Sequence, residues 1–214
     1  MEFDIEIRNE KFTLLSQKAV LWKSKSILFL SDLHLGKAQH FRKEGIGIPE
    51  AIGEEDYTRL YKLFSDYPTD HVYFLGDLFH SEYNREWSRV KEMISHFSPT
   101  QFHLVIGNHD ILSSEDYDSS GIHIVGKTHQ INSIKFTHEP PEKEYSEYIF
   151  CGHIHPGVSI KGRGRQYLRL PCFYFTENFM ILPAFGTFTG VKTLNVSGNR
   201  KAFAVVKDKI VQIQ

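Results

Sequence analysis

Hydrophobic and polar positions change period along the chain, and the changes divide it. Phe3-Asp4-Ile5-Glu6-Ile7 alternates, and with Ala19-Val20-Leu21-Trp22 it predicts antiparallel strands with one wet face. Ser26-Ile27-Leu28-Phe29-Leu30 is a continuous apolar run, as a central strand buried on both faces requires. A helical spacing follows over about 49–64, with Pro49 suited to a first turn and Leu60, Leu63 and Phe64 on one face. Val72-Tyr73-Phe74-Leu75 predicts the next strand, 86–97 the next helix, and Phe102-His103-Leu104-Val105-Ile106 a third strand. That β-α-β-α-β order implies parallel strands joined by right-handed crossovers.

The second half changes character. Short strands are predicted at 122–125, 134–137 and 148–151, and 157–214 is nearly all strand and turn. Glu139-Pro140-Pro141-Glu142-Lys143-Glu144 predicts an exposed loop. The expected class is α/β, with two mixed β-sheets packed face to face, flanked by helices in an αββα sandwich. One domain over 1–214 is expected, since no repeat or linker interrupts the 214 residues.

Composition narrows the function. No run approaches the roughly 20 apolar residues of a membrane span, so no membrane role is expected. Met1-Glu2-Phe3-Asp4 lacks the order of a secretory signal, and two cysteines build no disulfide framework, so a cytoplasmic location is expected. Lys and Arg total 25 against 26 Asp and Glu, which excludes binding nucleic acid by bulk charge and leaves a local patch or a metal. The 12 histidines point to the metal.

Several apolar runs stop at residues that ligate metals. Leu28-Phe29-Leu30 leads into Ser31-Asp32-Leu33-His34, and Tyr73-Phe74-Leu75 into Gly76-Asp77-Leu78-Phe79-His80. Leu104-Val105-Ile106 leads into Gly107-Asn108-His109-Asp110, Ile134 to Thr137 into His138, and Ile149-Phe150-Cys151 into Gly152-His153-Ile154-His155. Alone, Asp-x-His or Gly-Asp is an ordinary turn, whereas His-x-His on a strand would aim both rings to one face. Carboxyl ends of strands line the ligand crevice of open α/β sheets, so five such ends would converge on one volume. Asp32, His34, Asp77, Asn108, His138, His153 and His155 make an oxygen and nitrogen donor set without thiolate, suited to Mn²⁺, Fe²⁺ or Zn²⁺. Seven donors exceed one tetrahedral ion and suit two ions sharing a carboxylate. Two ions about 3.5–4 Å apart depress the pKa of bound water and neutralise phosphoryl oxygens.

In this order and spacing, the motifs over 31–155 resemble the calcineurin-like metallophosphoesterase superfamily. Ser31-Asp32-Leu33-His34-Leu35-Gly36-Lys37, His40-Phe41-Arg42 and Leu182-Pro183-Ala184-Phe185-Gly186-Thr187-Phe188-Thr189-Gly190 resemble its ligase-associated DNA-damage-response endonucleases. The resemblance implies that Asp32, His34, Asp77 and His155 hold a first metal and that Asp77, Asn108, His138 and His153 hold a second. It also implies two divalent ions, Mn²⁺ foremost, and a nuclease of DNA repair whose partners are DNA and a DNA ligase or helicase. His109 is implied to be no ligand but the group that protonates the leaving oxygen or stabilises the transition state. Gly76-Asp77-Leu78-Phe79-His80-Ser81 resembles double-strand-break repair nucleases, in which the matching histidine supports that acid; Asp110 is the alternative orienter.

Lys37, His40 and Arg42 follow the first motif and could hold a substrate phosphate. Lys161-Gly162-Arg163-Gly164-Arg165, with Tyr167 and Arg169, could be a basic hairpin that tracks a nucleic-acid backbone, or an ordinary hairpin tip. Cys151, Cys172, Trp22 and Trp87 read as core. The expected activity is phosphodiester hydrolysis, by an endonuclease acting on single-stranded or damaged DNA. The alternative is a phosphodiesterase or pyrophosphatase of small nucleotides, which the same centre would serve. An inactive scaffold is disfavoured because every ligand position is filled.

Overall fold

A computed structural model describes residues 2–47, 51–80, 85–143, 145–161 and 166–213, and only the backbone of His40, Lys43, Ala51, Ile52 and Arg85. The first sheet runs in chain order: β1 (Glu2–Ile7), β2 (Glu10–Leu15), β3 (Ala19–Trp22), β4 (Ile27–Leu30), β5 (His71–Leu75), β6 (Gln101–Val105) and β7 (Ile122–Gly126). β1 to β4 pair antiparallel, and β4 to β7 pair parallel, as the change from alternating to continuous apolar runs predicts. The crossovers are α2 (Ala51–Asp66) and α3 (Arg85–His96); α1 (Lys37–Lys43) and α4 (Ser114–Asp118) are short. Pro49, the expected start of α2, lies outside the described residues.

Tyr57, Leu60, Leu63 and Phe64 of α2 recur at helical spacing, as do Trp87, Val90, Met93 and Ile94 of α3. These faces bury against Leu28, Leu30, Phe74, Phe102 and Leu104 on one side of the first sheet. The other side carries Phe29, Tyr73, Leu75 and Val105, which meet Phe136, Phe150, Phe173, Met180 and Phe203 of the second sheet. Each such fully buried side chain contributes about 1.5–3 kcal/mol, which holds the sheets face to face.

The second sheet comprises β8 (Thr128–Ile131), β9 (Ile134–Thr137), β10 (Tyr148–Cys151), β11 (Pro156–Lys161), β12 (Tyr167–Phe175), β13 (Phe179–Ile181), β14 (Lys192–Thr193), β15 (Lys201–Val206) and β16 (Lys209–Ile213). Its order is β14-β11-β12-β13-β10-β9-β8, with β15 paired to β12 and β16, and its pairings are mixed. This is the expected α/β class of two mixed sheets with flanking helices. The described helices lie before β7 in the chain, and the outer face of the second sheet packs against Tyr145, Ile154, Leu194 and Val196. Cys151 and Cys172 are free and buried there, and Trp22 and Trp87 are fully buried, as read. Glu139 and Glu142 are exposed in an irregular segment, as the charged, proline-rich sequence predicts. No described helix is long and apolar enough to cross a membrane.

Register places the chemistry. Leu30, Phe74 and Leu104 are mutual partners across β4, β5 and β6, so their loops leave the sheet at one level. Phe136 and Phe150 align β9 with β10, so His138 and Gly152 emerge side by side, with the Gly152 N–H donating to the His138 carbonyl at 2.9 Å.

Candidate metal centre

The backbone hydrogen bonding of the first sheet continues beyond its strands. The Asp32, His34 and Leu35 N–H groups donate to the carbonyls of Gly76, Asp77 and Leu78 at 3.1, 2.9 and 3.0 Å. This locks the Asp32-x-His34 loop to the Asp77 loop. Gly76, at φ +82°, passes so close to His138 that a Cβ would overlap the imidazole. Asp32, His34, Asp77, His153 and His155 all have left-handed φ between 49 and 67°. For side chains other than glycine this costs about 1–2 kcal/mol per residue, and such backbone clusters where function holds it.

Two groups of donors result. Asp32 Oδ1 lies 3.3 Å from His155 Nε2, and His34 Nε2 lies 3.3 Å from His155 Nε2 and 3.6 Å from Asp77 Oδ2. In the second, His138 Nε2 lies 3.4 Å from Asp77 Oδ1, 3.0 Å from Asn108 Oδ1 and 3.2 Å from His153 Nδ1; His153 Nδ1 is 3.0 Å from Asn108 Oδ1. Asp77 therefore gives one oxygen to each group. The first group is Asp32, His34 and His155, which Asp77 reaches through His34; the second is Asp77, His138 and His153, with Asn108 beside both rings.

The residues fit divalent ions. His138 Nδ1–H donates to the Leu75 carbonyl at 2.9 Å, and His155 Nδ1–H to the Thr189 carbonyl at 3.1 Å. Each Nε2 is thereby turned toward carboxylate oxygens and other ring nitrogens. Such crowded donor atoms suit a shared cation, and nitrogens 3.2–3.3 Å apart suit neighbouring ligands with metal–nitrogen bonds of about 2.0–2.1 Å. Asp32 is further held by the Ser31 hydroxyl at 2.6 Å and by the His153 N–H, and Asp77 Oδ1 accepts from the His109 N–H at 2.9 Å.

Burial pushes His34 down to about 3, prevailing over the nearby Asp77 and Asp32 carboxylates. Burial opposes protonation of His138 too, but its hydrogen bond to Asp77 and the two carboxylates outweigh this and hold it up at about 9. Burial would raise Asp77, yet His138, the His109 N–H and His34 together hold it well below the usual carboxylate range.

His109 is half-buried beside the groups, its ring 5.5 Å from that of His34 and 4.2 Å from that of His80. His80 Nδ1 also lies 3.3 Å from His34 Nδ1, so it touches both. The Asp110 carboxylate faces backbone: Oδ2 accepts from the Asp77 and Gly107 N–H groups, both at 2.8 Å, and Oδ1 from Leu78 at 2.9 Å. The expected strand geometry of His153-x-His155 gives way to a turn after β10. With left-handed φ at both residues the rings diverge, His155 to the first group and His153 to the second.

Of the expected substrate contacts, Lys37 on α1 is half-buried, and burial lowers its pKa against the pull of the Asp77 and Asp32 carboxylates. Arg42 lines a small cavity with His34, Gln39 and Phe188. The His40 side chain, Arg163 and Arg165 lie outside the described residues. Lys161 is exposed at the far end of β11, paired with Tyr167. At about 3.3 Å per residue it lies on the order of 20 Å from His155 along the strand. Sequence reading missed the partners of the ligands: the Leu75 and Thr189 carbonyls and the Ser31 hydroxyl. The carbonyls carry no side-chain signal.

A family model for calcineurin-like phosphoesterases matches residues 25–171. Among solved structures, the chain is similar to the crystal structure of the Pseudomonas putida nuclease MPE. Identity is 26%, the match covers 100% of both chains, and the TM-score is 0.85. Yfce, a phosphoesterase from E. coli, matches at 18% identity over 87% of this chain and 97% of its own, with a TM-score of 0.47. No curated protein sequence matches the chain.

Proposed function

Because the chain belongs to the calcineurin-like phosphoesterase family and is a metal-dependent phosphoesterase, we propose that it hydrolyses phosphodiester bonds of DNA, single-stranded or damaged, in repair. The observation that carries the nuclease reading is the likeness to the P. putida nuclease over the whole of both chains. The proposed ions are two Mn²⁺, with Fe²⁺ or Zn²⁺ able to substitute, held by Asp32, His34, Asp77 and His155 and by Asp77, Asn108, His138 and His153. A DNA ligase or helicase is the proposed partner. When bound, the ions supply Lewis acidity toward the phosphoryl oxygens and lower the pKa of water.

The chain's own residues do the rest. Asp77 divides its oxygens between the two groups and so fixes their spacing. With Nε2 committed to the first group, neutral His34 carries its proton on Nδ1, directed at His80 Nδ1. His80 in turn packs on His109 and limits that ring's orientation. His109, fixed through its N–H on Asp77, donates a proton to the leaving oxygen or hydrogen-bonds the transition state. Lys37 and Arg42 are proposed to meet the substrate phosphate, and Lys161, Arg163 and Arg165 a longer strand.

One observation favours small nucleotides instead: a formal net charge of −1 gives no bulk attraction to a polyanion. Turnover with added Mn²⁺ on labelled single-stranded DNA, beside a cyclic nucleotide and an aryl phosphodiester, separates the readings. DNA cleavage that His109→Ala suppresses supports the nuclease. Turnover of the cyclic nucleotide with DNA left intact would establish the alternative.

A further inference from the structure

The segment Leu182 to Gly190 follows β13 and crosses from the second sheet back to the first. The Phe185 N–H donates to the Ser31 carbonyl at 2.9 Å, and the Gly186 N–H to the Asp32 carbonyl at 3.1 Å. A Cβ on Gly186 would strike the Leu33 carbonyl, so this crossing is as close as backbone permits. The segment then presents the Thr189 carbonyl to His155 Nδ1–H. It touches the first donor group from two sides.

The two orienting carbonyls stand on different supports. Leu75, which orients His138, ends a strand paired on both sides, so its carbonyl is fixed by the sheet. Thr189 lies in a loop outside any ladder, between the backbone bonds of Phe185 and Gly186 and the Lys192 N–H on the His155 carbonyl at 2.9 Å, and side chains hold the residues between them.

Those side chains come from α2 and from the β2–β3 turn. Asp56 is buried and accepts from the Thr187 N–H with both oxygens at 3.1 Å, and from the Thr187 hydroxyl at 3.1 Å. Arg59, one turn on, pairs with Asp56 at 2.9 Å and donates to the Phe185 carbonyl at 2.9 Å, its guanidinium 4.3 Å from the Phe185 ring centre. Lys18 Nζ reaches the same carbonyl at 3.4 Å. Thr189 Oγ1 closes the loop on the Gly186 carbonyl at 3.0 Å. A buried carboxylate that meets a loop N–H, a hydroxyl and a guanidinium at once fixes direction as well as distance, which an apolar contact would not.

We propose that Asp56 and Arg59 are positioning residues for the first metal: they clamp the 185–189 loop, and its Thr189 carbonyl holds His155 with Nε2 toward Asp32 and His34. The inference rests on the two-ion reading above. It predicts an asymmetry, because the second group draws its orientation from β5 and lacks this clamp.

The test is a Co²⁺ titration of the full-length metal-free chain, followed by visible absorbance and by the ions retained after dialysis. Asp56→Ala should weaken one of two equivalents by about 10–100-fold, the usual effect of removing a support of a ligand, and leave the other unchanged. The weakened equivalent should be the one that His155→Ala removes. Asp56→Asn keeps an acceptor for the Thr187 N–H and should fall between. Thr187→Val removes only the hydroxyl and should act in the same direction on a chain whose fold it leaves alone. Folded variants that bind both equivalents as tightly as wild type, or that weaken both alike, would overturn the clamp. A wild-type chain with one equivalent would overturn the two-ion reading, and this inference with it.

Discussion

Asp110 offers a prediction whose size comes from its hydrogen bonds. Three backbone N–H groups point at its carboxylate within 2.9 Å: Asp77 and Gly107 at one oxygen, Leu78 at the other. They belong to the loops that carry Asp77 and Asn108, so the carboxylate ties two ligand loops together. In Asp110→Asn the amide oxygen can keep Asp77 and Gly107, but its NH₂ then confronts the Leu78 N–H. One donor is stranded at about 1–3 kcal/mol and the remaining bonds lose their charge, so a loss of roughly 2–4 kcal/mol is expected. Asp110→Ala strands all three, at about 3–9 kcal/mol before water enters, comparable with a typical total stability of about 5–15 kcal/mol. The assay is urea unfolding in chelator, which removes any contribution of bound metal. A loss this large places Asp110 among the groups that build the centre. An Asp110→Asn protein with unchanged stability and a kcat about 100-fold lower would instead make Asp110 the orienter of His109.

His109→Ala should retain both ions and lose about 10²–10⁴-fold in kcat, less on a nitrophenyl diester whose leaving oxygen needs little protonation; loss of an ion on elemental analysis would reverse the assignment. Replacing Lys161, Arg163 and Arg165 by Ala should lower the salt dependence of DNA binding by about one unit of slope per lost phosphate contact, and leave a small aryl diester unaffected. Lys161 is on the order of 20 Å along β11 from His155, so only DNA reaching about six nucleotides from the scissile bond should show the effect. Burial, and then the Arg59 charge, hold Lys18 down at about 8 against the pull of Asp56 and Glu55. The unfolded chain thus binds more protons above that pH. The wild type should gain stability relative to Lys18→Met as pH rises from about 8 to about 10.5, and urea midpoints that stay parallel would contradict it.

Much of the candidate centre is legible in the sequence, because its proposed ligands begin where apolar strands end. Asp32, Asp77 and Asn108 follow β4, β5 and β6 within three residues, and parallel register needs only the apolar runs to be recognised. The Leu60, Leu63 and Phe64 face of α2 follows from spacing alone. What the sequence conceals is backbone. Asp110 stands beside His109, which suggests orientation of that ring, while its acceptors meet N–H groups 32 and 33 residues away. His153-x-His155 follows an apolar run and reads as strand, but left-handed φ at both residues separates the rings. Asp56 is one more acidic residue on a helix until the fold brings Thr187, 131 residues on, to its carboxylate.

In the proposed centre Asp77 serves two ions at once. Elemental analysis of the Mn²⁺-saturated chain after exhaustive dialysis tests it directly. Two ions per wild-type chain are expected, with weaker retention of both in Asp77→Asn, whose amide removes the shared charge from both groups. One tightly held ion in the wild type, or an Asp77→Asn protein that loses one ion and keeps the other at full affinity, would contradict it.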